Sequence, residues 1–157
     1  PQGPASIGDL ELGDVDLDGD LDLVLADWGP GNAGGAGGVT KLWLNDGAGS
    51  FVDATVSNMP QVPVSWSWEM DLADVDNDHD LDVLVSCKTC AGSYMFHNDG
   101  TGKFSDASEL LPQFKNNYEF EAIDLDGDEF VDLITINDGP GATEHIFIND
   151  GLVGFEQ

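Results

Sequence analysis

Arginine is absent from the 157 residues and lysine occurs only four times, against 31 acids, for a formal net charge of -27 at pH 7. A chain without a basic patch lacks the usual means of neutralising phosphates or docking on anionic lipid, which argues against nucleic acid as a partner. Cysteine is scarcer still. Cys87 and Cys90, in CKTC, are too few for a structural zinc site and lack the βαβ setting of a thioredoxin-like pair, so they read as a local disulfide in an oxidising compartment. No apolar run approaches the ~20 residues of a membrane-spanning helix. The amino terminus PQGPASIGDL has neither a starting methionine nor a basic, apolar signal, and reads as a mature terminus or an excised fragment. No stretch of ten residues carries a 3.6-residue period, although Ser108 to Phe114 holds a helical turn. The glycine-rich segment lacks a G-K-[ST] ending, no G-x-S-x-G elbow occurs, and nothing marks out two of the many acids as a glycoside-hydrolysing pair. The chain is therefore expected not to be an enzyme.

What is present is a repeat. DVDLDGDLDLVLA at Asp14 returns as DVDNDHDLDVLVS at Asp74 and as DLDGDEFVDLITI at Asp124. Each copy is followed by an Asn-Asp-Gly turn and, six residues after that asparagine, a phenylalanine: Asn45 to Phe51, Asn98 to Phe104, and Asn149 to Phe155. Spacings of this size are those of blades, solenoids and arrays. With 41% hydrophobic residues spread along its length, the chain can bury a core. Each copy reads as four short strands. An alternating segment precedes the acidic loop, as in Val64, Trp66, Trp68, Met70 and Leu72 on one face. A nearly unbroken apolar strand follows it, then a strand running into the Asn-Asp-Gly hairpin, then a short strand with the phenylalanine. The insertion GPGNAGGAGG in the first copy reads as a flexible surface loop. The expected class is all-β, one repeat domain over 1-157, with units at about 5-57, 62-108 and 115-157.

The acids of the repeat have the spacing of a cation cage. Carboxylates at positions 1, 3, 5 and 9 of a nine-residue loop, with a backbone carbonyl at position 7, converge on one hard ion with the six to eight oxygens calcium prefers. The first loop offers Asp14, Asp16, Asp18 and Asp22 with Asp20 at position 7; the second offers Asp74, Asp76, Asp78 and Asp82 with Asp80. The third offers Asp124, Asp126, Asp128 and Asp132 with Phe130. Gly19 at position 6 suits a sharp turn, whereas His79 and Glu129 occupy that slot in the other loops and the third glycine has moved to position 4, which makes the third site the weakest. An EF-hand is excluded, because its position 12 glutamate would fall on Leu25, Val85 or Thr135 and its flanks would be helices. Magnesium suits a many-carboxylate cage less well. About three calcium ions, one per repeat, are expected.

The pattern GDVDLDGDLDLVLA followed by LWLNDGAGSFVDAT, with its two relatives, resembles the FG-GAP/VCBS repeats of the integrin α-subunit β-propeller and of many bacterial secreted and surface proteins. The resemblance implies three four-stranded antiparallel β-propeller-type blades with calcium between the first two strands of each. It implies little about the ligand, whether glycan or protein; the chain reads as a module of an extracellular or cell-surface protein with a structural or adhesion role. Lectin-like carbohydrate binding and a place within a secreted polysaccharide-active enzyme are the alternatives. Closed propellers have about four to eight blades. Three form a partial ring, completed by the remainder of a longer chain, by two copies closing together, or by copies continuing head to tail.

Other residues have plainer readings. Trp66 and Trp68 read as core, and Trp28, beside the glycine-rich insertion, as a candidate for stacking on a sugar. His97 and His145 read as packing or surface residues. The acid pairs before each loop, Asp9 and Glu11, Glu69 and Asp71, Glu119 and Glu121, read as the lining of a solvated acidic channel, with an addition to the metal shell as the alternative.

Overall fold

The computed structural model describes residues 5-30, 37-112, 115-139, 143-151 and 155-156. The chain runs through β1 (Ile7–Gly13), β2 (Asp22–Asp27), β3 (Gly38–Val39), β4 (Lys41–Asn45), β5 (Phe51–Asp53), α1 (Thr55–Asn58) and β6 (Pro63–Val64). It continues through β7 (Met70–Ala73), β8 (Asp82–Val85), β9 (Tyr94–Asn98), β10 (Phe104–Asp106), a 3-10 turn at Ser108–Leu110, β11 (Asn117–Ile123), β12 (Asp132–Asn137), β13 (His145–Asn149) and β14 (Phe155–Glu156). The strands form three four-stranded antiparallel sheets, β1-β2-β4-β5, β7-β8-β9-β10 and β11-β12-β13-β14. The first of these also holds the small ribbon β3-β6 beside it, a pairing without a counterpart among the described residues of the other two copies.

The strand after each acidic loop is the buried one, as its unbroken apolar run requires: all of β8 is buried. In each hairpin that follows, the glycine of Asn-Asp-Gly takes a left-handed backbone, with φ of 68° at Gly47, 75° at Gly100 and 70° at Gly151. A side chain there would collide with position 7 of the same sheet's acidic loop at Gly47 (Asp20) and Gly151 (Phe130) and lie close to Asp80 at Gly100, so close approach adds to the backbone's preference for glycine.

The core lies between sheets. Val15, Val24, Ala26 and Leu42 of the first sheet pack against Met70, Val83, Val85 and Phe96 of the second. The other face of the second, with Val75, Leu84 and Met95, packs against Phe120, Leu133 and Phe147 of the third. The first strands lie side by side, β7 between β1 and β11.

Two expectations need correction. The alternating run does not extend from Val64 to Leu72: Val64 belongs to β6, β7 starts only at Met70, and Trp66 has φ 49°, which breaks the extended path. Trp66 and Trp68 are half-buried rather than core. Three of the six acids before the loops do more than line a channel. Asp9 accepts the Met70 N–H (3.1 Å), Glu69 that of Phe120 (2.8 Å) and Asp71 that of Ala122 (3.1 Å), so each carboxylate reaches the first strand of the next sheet. Residues 31-36 of the insertion expected to be a flexible loop lie outside the described residues.

Glu69 carries a pH signature. Burial, reinforced by Asp71, Asp9 and Glu119 and opposed by the Phe120 N–H, pushes its carboxyl from 4.5 up to about 8. Between those values the folded chain holds a proton the unfolded chain has lost. Its contribution is therefore full below pH 4.5 and is lost as the pH rises to about 8. Glu69→Gln keeps an oxygen for Phe120 without the charge. It is expected to raise the melting temperature by several degrees at pH 8 and by much less at pH 5; equal gains at both pH values would contradict this account.

Candidate metal centres

Each acidic loop joins the first strand of its sheet to the second, and the three follow one backbone path. Position 4 is left-handed in all of them, with φ 59° at Leu17, 63° at Asn77 and 86° at Gly127. So is position 6, with φ 96° at Gly19 and 77° at both His79 and Glu129. The displaced glycine of the third loop therefore still sits where a left-handed residue is needed, and His79 and Glu129 are carried through the turn despite the strain a side chain incurs there.

The aspartates hold this path themselves. At position 1, Asp14 accepts the N–H groups of Asp18 and Gly19 at 3.0 Å each, Asp74 those of Asp78 (3.1 Å) and His79 (3.0 Å), and Asp124 those of Gly127 (2.6 Å) and Glu129 (3.2 Å). At position 5, Asp18, Asp78 and Asp128 accept from Asp20, Asp80 and Phe130. At position 9, Asp22, Asp82 and Asp132 are completely buried. One oxygen of each takes the N–H of position 2 (Val15, Val75, Leu125), and the other takes the N–H of the turn asparagine (Asn45, Asn98, Asn149). A carboxylate oxygen has two lone pairs, so one remains for an ion on each oxygen of Asp22 and Asp132 and on Asp82 Oδ2, while Asp82 Oδ1 also meets His97 Nδ1.

Carboxylate oxygens within 4.8 Å of one another come from Asp14, Asp16 and Asp18 in the first loop, Asp74, Asp76 and Asp78 in the second, and Asp124, Asp126 and Asp132 in the third. The position 9 residues Asp22 and Asp82 and the position 5 residue Asp128 stand outside these groups. The second loop has an extra arrangement, in which Asp76 and Asp82 meet His97. His97 Nδ1 is 3.1 Å from Asp82 and 3.6 Å from Asp76. Burial works against its protonation, but Asp82, Asp76 and Asp78 outweigh it and raise its affinity for a proton. His97 is thus not mere packing. The only trace of it in the sequence is its place before Asn98, where the other copies have Leu44 and Ile148.

The electrostatics fit a cation. Burial, then repulsion from Asp22 and Asp18, raises Asp16; burial, then Asp78, raises Asp76; and burial with Asp78 and Asp82 takes Asp80 to about 6. Asp126 is raised by desolvation and Asp128. Asp16 Oδ1 and Asp80 Oδ1 are buried without a hydrogen-bond partner, and a hard divalent cation is the natural partner of such an all-oxygen set.

Sequence reading also missed a second task of the turn asparagines. The Asn98 amide donates to Val15 O (2.8 Å) and Leu81 O (3.2 Å), and that of Asn149 to Val75 O (2.9 Å) and Val131 O (3.3 Å). Each clamps its own loop and reaches the loop of the preceding sheet. Away from the loops, Cys87 and Cys90 are joined as a disulfide. Trp28 meets Trp66 and Trp68 edge-on, with centroids 5.0 and 4.4 Å away, and Trp68 stacks on Tyr118 at 5.9 Å.

The model of the FG-GAP-like repeat matches residues 7–85. No curated protein matches the chain in sequence. Among solved structures, the chain is similar to an Agrocybe aegerita lectin described as recognising non-reducing terminal N-acetylglucosamine, with a TM-score of 0.60 and 21% identity. The match covers 95% of this chain and 36% of that one, so the similarity is one of fold over part of the larger molecule.

Proposed function

Because the chain belongs to the FG-GAP-like repeat family, we propose that its three sheets are blades of a β-propeller in which each acidic loop holds one calcium ion. The whole is a non-catalytic, extracellular or cell-surface module with a structural or adhesion role. The observation that carries this reading is the repetition of one loop path three times, down to left-handed residues at positions 4 and 6 that are not glycine in every copy. Calcium supplies positive charge and oxygen coordination. The chain supplies Asp14, Asp16 and Asp18, Asp74, Asp76 and Asp78, and Asp124, Asp126 and Asp132, on loops already closed by their own hydrogen bonds. Three ions remove six of the 27 net negative charges.

Carbohydrate is the ligand class this reading favours. The cluster of half-buried Trp28, Trp66 and Trp68 with exposed Tyr118 offers the ring surfaces on which sugars stack. Beside it, a cleft of about 530 Å³ lined by Asp27, Lys41, Asp53 and Gln61 offers groups that bond hydroxyls. The similar lectin gives the same direction. One experiment tests both parts: a glycan array probed with the chain in calcium and in EDTA, with bound calcium counted by equilibrium dialysis. The expected result is about three ions per chain and glycan binding weakened by Trp28→Ala. No bound calcium would sink the metal reading, and a blank array the carbohydrate one.

A further inference from the structure

Two joints between sheets are built to one rule. An acid five residues before the first loop aspartate accepts the N–H of the residue four before the next loop: Asp9 from Met70 and Glu69 from Phe120. At the second joint, Asp71 adds the same contact two residues further on, to Ala122. The turn asparagine of the later sheet donates to the carbonyl at loop position 2 of the earlier one, Asn98 to Val15 and Asn149 to Val75.

Each outer sheet carries half of such a joint, and among the described residues nothing completes it. On the third sheet, Glu119 and Glu121 hold the places of Glu69 and Asp71, and among the described residues neither accepts a hydrogen bond. Leu125, in the place of buried Val15 and Val75, is 44% exposed, and Ile146, in the place of buried Leu42 and Met95, is 54% exposed. On the first sheet, Leu10 and Leu12 hold the places of Met70 and Leu72 on the free edge of β1 and are 52% and 53% exposed. Phe51 is exposed where Phe104 is buried. Asn45 donates to Leu21 O in its own sheet, and no carbonyl of an earlier sheet meets it.

We propose that these faces are the two halves of a single joint and that a second copy of this chain closes onto both, head to tail, giving a ring of six sheets. Glu119 and Glu121 of one copy accept from the Leu10 and Leu12 N–H groups of the other. The Asn45 amide meets the carbonyl of Leu125, and Leu10, Leu12 and Phe51 cover Ile146 and its apolar neighbours. The occupant is a second copy because the halves match in hydrogen-bond sense and spacing as well as in apolar character, and six sheets fall within the range of about four to eight that closed rings use. The ring closure rests on the propeller reading; the joint itself rests on the two joints already formed within the chain.

Sedimentation equilibrium of the 157-residue chain in calcium tests this. The expected particle has twice the 16.7 kDa mass of one chain. Glu119→Ala with Glu121→Ala is expected to raise the dissociation constant about tenfold or more, and Leu10→Asp with Leu12→Asp to abolish the dimer. Glu119→Gln with Glu121→Gln keeps the acceptor oxygens and the dimer. These residues line the outer faces, so melting of the dilute single chain serves as the folding control. A monomer at every concentration, an open-ended polymer, or a dimer indifferent to the two Glu→Ala substitutions or to the two Leu→Asp substitutions overturns the proposal. Bound calcium measured on the same sample separates the two readings, since a calcium-loaded monomer sinks the joint and leaves the metal sites standing.

Discussion

Excess EDTA added to the calcium-equilibrated chain lowers its melting temperature by about 8–16 °C for each site that had been held at a thousandfold excess over its Kd. The size follows from linkage. A ligand bound only by the folded state at that excess contributes about 4 kcal/mol, and each kcal/mol moves the midpoint of a chain of this length by about 2–4 °C. The direction follows from the loops. Without an ion, Asp16, Asp76, Asp80 and Asp126 are all raised by desolvation and by neighbouring carboxylates, so folding them together works against their charge. Restoring calcium recovers the midpoint, and magnesium recovers less of it, because its small octahedral shell gives up water reluctantly. Differential scanning calorimetry at matched ionic strength makes the measurement. Superimposable melts with and without chelator, after dialysis long enough for exchange, would remove calcium from the account.

The second large effect belongs to Asp82 and does not depend on metal. Its side chain is fully buried and holds the Val75 N–H with one oxygen and the Asn98 N–H with the other, while His97 lies against the second. Asp82→Ala leaves two buried donors unpaired at about 1–3 kcal/mol each, roughly 2–6 kcal/mol in all, a large part of the 5–15 kcal/mol typical of a domain. Asp82→Asn retains one acceptor and loses about half as much. Urea titration in EDTA should show the midpoint falling in that order with an unchanged slope. If Asp82→Ala cost stability in calcium and none in EDTA, the carboxylate would serve the ion alone.

The repeat made much of this fold legible. The apolar second strand and the Asn-Asp-Gly turn each reflect a local rule, two-sided burial and left-handed backbone, and both recur in register. The loop aspartates were legible for the same reason. What escaped the sequence depends on the approach of distant segments. Nothing local tells that Asp9 will find the Met70 N–H 61 residues away, or that the Asn98 amide will reach Val15. His97 enters the second loop only because β9 pairs with β8 and brings it beside Asp82. The path through Trp66 fails the alternation rule because β3 and β6 pair with each other, taking Val64 into a ribbon that has no counterpart among the described residues of the other two copies.

The contacts between sheets mostly read main chain. Glu69 takes the amide hydrogen of Phe120, and Asn149 gives to the carbonyl of Val75. Backbone groups are the same whatever residue bears them. A mutation at Phe120 or Val75 can therefore alter packing while leaving the polar clasp intact, and neighbouring units in a lineage are free to diverge in side chains without falling out of step. Duplicating one unit in a gene would deliver a new sheet with its clasp already made, so such arrays can lengthen by copying alone.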